Sequence, residues 1–223
     1  GWPDVDLSEA RSARLGAEVL LGNDLAVATV GEARAGAAKG HGDALLVFVG
    51  SGIGAGLVVD GRPYRGARGV GGELGHVKVV PGGRRCGCGE DGCVEAYAGG
   101  HNFVRWAREE AKARGVTGNW AGSETSTTGD VLRAADAGDA LAIELRDRAA
   151  AWIGLCAANV VTVLNPSIVI LGGGVLLGNP AYRALVESNL RAWCSRVSGE
   201  GLPVVSPVLG DDAGVIGAAL LVA

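Results

Sequence analysis

The 223-residue chain contains no methionine, and no block of lysine or arginine occurs along it. With 20 basic against 24 acidic residues the formal net charge is −4. That leaves no electrostatic footprint for following a phosphate backbone, so nucleic acid is not expected as a partner of this chain. No apolar run approaches the ~20 residues of a bilayer span, so no membrane partner is expected. No charged-then-apolar leader opens the sequence. It starts Gly1-Trp2-Pro3, and that start, with the lack of methionine, predicts an N-terminal piece upstream. A repeat of solenoid period is also missing. So are the Gly-Lys-Ser/Thr of a Walker A loop and the dinucleotide fingerprint with its immediate helix.

What is present is 48% hydrophobic and 20% charged residues, enough core for one large domain or two small ones. The 39 glycines gather at 50–56, 66–75, 82–92 and 172–174. Such clusters mark loops where backbone approaches a ligand or turns with positive φ. Between them strands and helices alternate. Helices are predicted at Leu7–Leu15, capped by Asp6, and at Leu25–Ala38, Glu95–Arg114, Ala140–Leu164 and Ala181–Val197, with a further short one before Gly138 and one after Gly214. Strands are predicted at Glu18–Leu21, Ala44–Val49, Ala55–Val59, Ser167–Leu171 and Val204–Val208. Asp60-Gly61 should turn a hairpin into Arg62-Pro63-Tyr64-Arg65. The alternation is an α/β pattern, with ligands expected at the carboxyl ends of the strands.

Three of the five cysteines and one of the three histidines fall within 76–93: His76, Cys86, Cys88 and Cys93. A Cys3His set is a standard tetrahedral ligand group for structural Zn²⁺, and a closed set leaves no position for water. Packing of these cysteines as small hydrophobes is disfavoured by the Gly-, Arg- and Asp-rich surroundings. A disulfide is disfavoured by the odd number and by the one-residue gap between Cys86 and Cys88. Thiolate metal binding points to a reducing, cytoplasmic compartment. His41, His101, Cys156 and Cys194 are assigned structural roles.

Two glycine turns follow apolar strands, Gly50-Ser51-Gly52 and Gly172-Gly173-Gly174. Each suits phosphate or simply a tight turn. Asp24, before the helix at Leu25, suits either an N-cap or a catalytic carboxylate.

Taken in order, Asn23-Asp24, Gly50-Ser51-Gly52-Ile53-Gly54-Ala55-Gly56, Gly72-Glu73-Leu74-Gly75-His76 and Cys86-x-Cys88-Gly89-x-x-Gly92-Cys93-x-Glu95 resemble the ROK family. That family comprises sugar kinases such as bacterial glucokinase, and sugar-responsive repressors, on the actin-like ATPase (ribonuclease H-like) fold. The resemblance implies an α/β protein of two lobes, the N-terminal one incomplete in this chain. Residues 1–42 would be the remnant of the small lobe, 43–208 the large lobe with the zinc loop, and 209–223 a helix packing back toward the small lobe. It implies a hexokinase-type kinase using ATP with Mg²⁺, acting on a hexose, foremost glucose, as a homodimer with structural Zn²⁺. Asp24 would be the base that takes the proton of the attacking sugar hydroxyl. Asn23, Asp24, Glu73, His76 and Glu95 would hold the sugar, although Glu95 also suits a first-turn helix position. Gly50, Ser51 and Gly52 would form the second phosphate loop, where threonine is more usual than Ser51. Gly172, Gly173 and Gly174 would line the adenosine side. The sequence departs from the family in having Gly22 where glutamate usually precedes Asn-Asp, and in carrying no Asp-x-Gly-x-Thr loop. The alternative implied by the family is the effector domain of a repressor that senses sugar without turnover.

Overall fold

The computed structural model describes residues 6–118 and 120–221; Gly1-Trp2-Pro3 lies outside the described residues. A five-stranded mixed sheet forms the centre, in the order β3-β2-β1-β4-β5. β1 (Ala44–Val49) pairs antiparallel with β2 (Ile53–Val59) and parallel with β4 (Ile168–Gly172). The short β3 (Arg62–Pro63) extends the hairpin, and β5 (Val204–Val205) lies parallel to β4. Asp60 and Gly61, at φ 52° and 71°, make the predicted hairpin turn; both central residues of a type I′ turn take positive φ.

Successive side chains of a strand point to opposite faces, and β1 fills two cores accordingly. Leu45, Val47 and Val49 enter the larger one, beneath α3 (Glu95–Ala98), α4 (Gly100–Ala113), α5 (Thr128–Asp136), α6 (Ala140–Leu164) and α8 (Pro180–Trp193). Ala44 and Leu46 enter the smaller one with Val58, Ile168, Ile170 and Ala38. β1 and β4 are continuous apolar runs for this reason. Among the described residues α6 is long and apolar enough to match a membrane span by composition. Its Leu145, Ala149, Ile153 and Ala157 are nevertheless fully buried in the protein core.

On the far side, α2 (Asp24–Ala35) packs against α10 (Ala213–Leu221). Their backbones cross so closely that a Cβ on Gly217 would lie 1.8 Å from the Val27 carbonyl oxygen. Glu32, fully buried, accepts N–H bonds from Ala37 (2.7 Å), Val208 (3.1 Å) and Leu209 (2.9 Å). One carboxylate therefore ties α2 to the segment that leads into α10.

Four sequence expectations are corrected. Glu18–Leu21 is not a strand but a largely exposed stretch after α1 (Leu7–Leu15). Its Val19 N–H donates to Ser12 Oγ and its Val19 carbonyl accepts from Ser8 Oγ, so α1 side chains take the groups a ladder needs. The helix expected over Glu95–Arg114 breaks at Gly99 (ψ 141°) into α3 and α4. The break aims the Gly100 and His101 N–H groups at the carbonyls of Gly50 and Ser51. The helix expected to reach Val197 stops at Trp193, because Ser195 caps a new turn, α9 (Arg196–Gly199), by accepting from Ser198 N–H. The strand expected over Val204–Val208 is two residues long. Pro207 has no N–H for a ladder, and that of Val208 is committed to Glu32.

Candidate sugar and phosphate pocket

A cavity of about 780 Å³ opens between the N-terminus of α2, the β1–β2 turn and the loop that follows β3. Asn23, Asp24, Gly50, Ser51, Gly52, Glu73 and Glu95 all line it. Chain regions more than seventy residues apart are thus brought to one hollow at the carboxyl end of β1, where ligands bind in α/β sheets.

Asn23, not Asp24, is the N-cap of α2. Its Oδ1 accepts from the N–H of Leu25 (3.0 Å) and Ala26 (3.2 Å). Asp24 occupies the first helical turn, exposed to the cavity, with Oδ1 accepting only from Leu25 N–H (2.8 Å). Its second oxygen is open to a ligand.

The β1–β2 turn is held from behind. Gly50 N–H donates to the Gly52 carbonyl, while the Gly50 and Ser51 carbonyls accept from the first amides of α4. Among the described residues no protein acceptor meets the N–H of Ser51 or Gly52. Two amides facing a cavity in this way suit an anion. Glu95, at the start of α3, reaches across and accepts Ile53 N–H on Oε2 at 2.8 Å. A Cβ on Gly52 would lie 2.5 Å from that oxygen, so the glycine is a space requirement. Gly173 (φ 90°) packs against the backbone of Val49, immediately before the turn, where a Cβ would come within 2.5 Å of the Val49 carbonyl oxygen. Gly172–Gly174 therefore adjoins the turn from outside the cavity lining.

The loop after β3 carries the remaining groups. Glu73 lines the cavity directly, whereas His76 stands behind it with Nε2 3.5 Å from Glu73 Oε2. The other imidazole nitrogen, Nδ1, lies 3.7 Å from Cys86 Sγ, and Cys88 Sγ lies 3.7 Å from Cys93 Sγ. All four donor atoms of His76, Cys86, Cys88 and Cys93 fall within 4.8 Å of one another. Zn–S bonds of about 2.3 Å in a tetrahedron require sulfurs about 3.8 Å apart. The donor set and its spacing therefore fit Zn²⁺. Without the ion, burial pushes the Cys86 thiol up to about 11, while the backbone N–H of Glu90 lowers that of Cys88. Lys78 Nζ lies 2.9 Å from Cys93 Sγ and 2.5 Å from Glu90 Oε2, and these bonds hold its ammonium well above the usual lysine value.

Sequence reasoning missed two groups that rim the cavity, Arg65 and Asp211. Neither sits in a motif with its own chemistry, so only the folded loop positions reveal them. Of the residues assigned structural roles, His101 adjoins the cavity through its N–H bond to the Ser51 carbonyl, and the other three lie outside the lining. His41 Nδ1 bonds Ser167 Oγ (2.9 Å), Cys156 is buried in α6 with its thiol pushed up to about 12, and Cys194 caps α8.

The sheet, its helices and this pocket define a protein of the actin-like ATPase fold. The sequence model of the ROK family matches residues 1–223, and the chain belongs to that family. It is 34% identical over 226 aligned residues to the glucokinase of Halalkalibacterium halodurans, covering 100% of this chain and 68% of that protein. A ROK glucokinase of Streptomyces griseus, solved in complex with glucose and AMPPNP, superposes with a TM-score of 0.79 at 34% identity, covering 99% and 73% of the two chains. A ROK transcriptional regulator homologous to the E. coli MLC protein superposes at 0.82 with 28% identity, covering 96% and 54%.

Proposed function

We propose that this chain supplies the sugar site and catalytic carboxylate of an ATP-dependent hexose kinase, with glucose the substrate and glucose 6-phosphate the product. The observation that carries the reading is the single cavity in which Asp24, with one free carboxylate oxygen, shares space with the unpartnered amides of the Gly50–Gly52 turn. The similar S. griseus glucokinase, solved with glucose and AMPPNP, supports the assignment of ligand class.

In this reading Asn23, Glu73, His76 and Glu95 accept or donate to the hexose hydroxyls. Once a sugar covers them these hydrogen-bonding groups discriminate, since the wrong sugar leaves them unpaired. Asp24 accepts the proton of the hydroxyl that attacks the γ-phosphoryl group, a role worth ~10²–10⁴-fold. Ser51 and Gly52 would hold phosphate oxygens, with Gly172–Gly174 on the adenosine side, and Mg²⁺ would supply neutralisation of the phosphate charge. His76, Cys86, Cys88 and Cys93 would hold Zn²⁺; with Nδ1 as the ligand atom, His76 presents Nε2 toward Glu73 and the sugar. None of the five cysteines is in a disulfide, which suits a reducing cytoplasm, and the working unit is a homodimer.

The similarity to a ROK regulator supports a second reading, a sugar-sensing effector domain. Incubation of the protein carrying its expected N-terminal phosphate-loop segment with glucose and Mg-ATP separates the two. Stoichiometric glucose 6-phosphate with ADP is the expected result; calorimetric glucose binding with no product over many hours favours the sensor.

A further inference from the structure

Arg84 belongs to none of the motifs above, yet it makes more connections than any ligand of the metal loop. Its backbone N–H donates to Tyr97 Oη (2.8 Å) and its carbonyl accepts from Gly92 N–H (2.9 Å), between Glu90-Asp91 and Cys93. Its Nε donates to the Ala96 carbonyl at 3.1 Å. Its guanidinium pairs with Glu109 on α4, with a second bond from Nη2 to Oε1 at 3.2 Å, and lies 5.9 Å from the Tyr97 ring centroid. Ala96 and Tyr97 are the two residues after Glu95 in the four-residue helix α3. Nothing in four residues gives a helix its own stability, so α3 depends on what grips it.

We infer that Arg84 is a positioning residue that couples the metal loop to both ends of the pocket. The chain of contacts runs from the Cys86–Cys93 loop through Arg84 to the Ala96 carbonyl and Tyr97, hence to Glu95, and from Glu95 Oε2 to the N–H of Ile53, the first residue of β2 after the turn. Ordering of the loop by Zn²⁺ then sets the angle of Glu95 toward the hexose and also steadies the amides of Ser51 and Gly52. His76 reaches the pocket through Glu73, whereas Arg84 reaches it through α3, by way of Glu95 and Ile53 N–H. A planar fork that can bond a carbonyl and a carboxylate together is what arginine offers and lysine does not. The inference rests on the zinc and hexose assignments made above.

Amide hydrogen exchange on the zinc-loaded protein tests it, with metal content measured on each variant. In Arg84→Gln the Ile53 amide should exchange about tenfold faster through easier local opening, while Val169–Leu171 in β4 stay unchanged. Glu109→Gln, an exposed substitution that loosens the same guanidinium without touching the loop, should give a smaller increase in the same direction. Glucose affinity should weaken by about tenfold in Arg84→Gln. An Ile53 rate equal to wild type, or one that rises by the same factor as β4, overturns the inference. Wild-type protein that binds no glucose would remove the hexose assignment instead, and the exchange ratio would still decide the role of Arg84.

Discussion

On the wall of the cavity formed by residues 72–95, the side chains assigned to the sugar are each held by the protein. Glu95 is bonded to Ile53 N–H, Glu73 is 3.5 Å from the His76 imidazole, and the other ring nitrogen of His76 turns to the thiol cluster. On the opposite wall Asn23 and Asp24 are exposed and bond only the first amides of their own helix. That helix is held at a distance, by Glu32 and by the glycine crossing with α10. Glu95 and His76 are thus anchored to other segments of the chain, whereas Asn23 and Asp24 bond only amides of their own helix. Recognition of a hydroxyl pattern calls for the first arrangement. A base that must meet a hydroxyl and then release a proton is served by the second.

The comparison breaks most visibly at the metal. Structural zinc is worth ~10–16 kcal/mol in small peptides, of which a large domain feels a part. Chelation, or Cys93→Ser, should lower the melting temperature by about 10 °C or more and abolish glucose binding, as read by differential scanning fluorimetry and calorimetry. An unchanged melting temperature after verified metal removal would mean the loop stands without it. Next in size is Glu32→Ala, which removes a buried carboxylate from the three part-buried N–H donors of Ala37, Val208 and Leu209 and should cost about 1–3 kcal/mol in urea unfolding. Because Glu32 holds only the Asp24 wall, the zinc content of that variant should stay at wild-type level; loss of zinc would contradict the separation of the two walls. Smallest is Asn23→Ala, which removes the α2 N-cap at a cost of ~1 kcal/mol. A cost well below that would mean the cap is fully replaced by Asp24 or solvent.

Much of this was legible in the sequence because it is local. The Cys-x-Cys…Cys spacing with His76 needs only a short loop to close, and the apolar runs Ala44–Val49 and Ile168–Leu171 need only a covered sheet. Cap residues were legible in part: Asp6 caps α1, but at α2 the adjacent Asn23 takes the cap and leaves Asp24 for other work. What was not legible depends on distant partners. Nothing near Glu18–Leu21 announces that serines of α1 will occupy the backbone of Val19. Glu32 reads as a surface position within a helix until Val208 and Leu209, 176 and 177 residues away, deliver their amides to it. The break at Gly99 likewise has its cause in the carbonyls of Gly50 and Ser51.

The division of labour between the walls is tested most directly at Asp24. Turnover of glucose with Mg-ATP and calorimetric glucose binding should be measured side by side on wild type and Asp24→Asn, each carrying the expected N-terminal phosphate-loop segment. With the zinc-held wall intact, glucose should still bind within a few-fold of wild type, while kcat falls by at least ~10²-fold, the contribution of a general base. An Asp24→Asn protein that turns over at the wild-type rate would contradict the account.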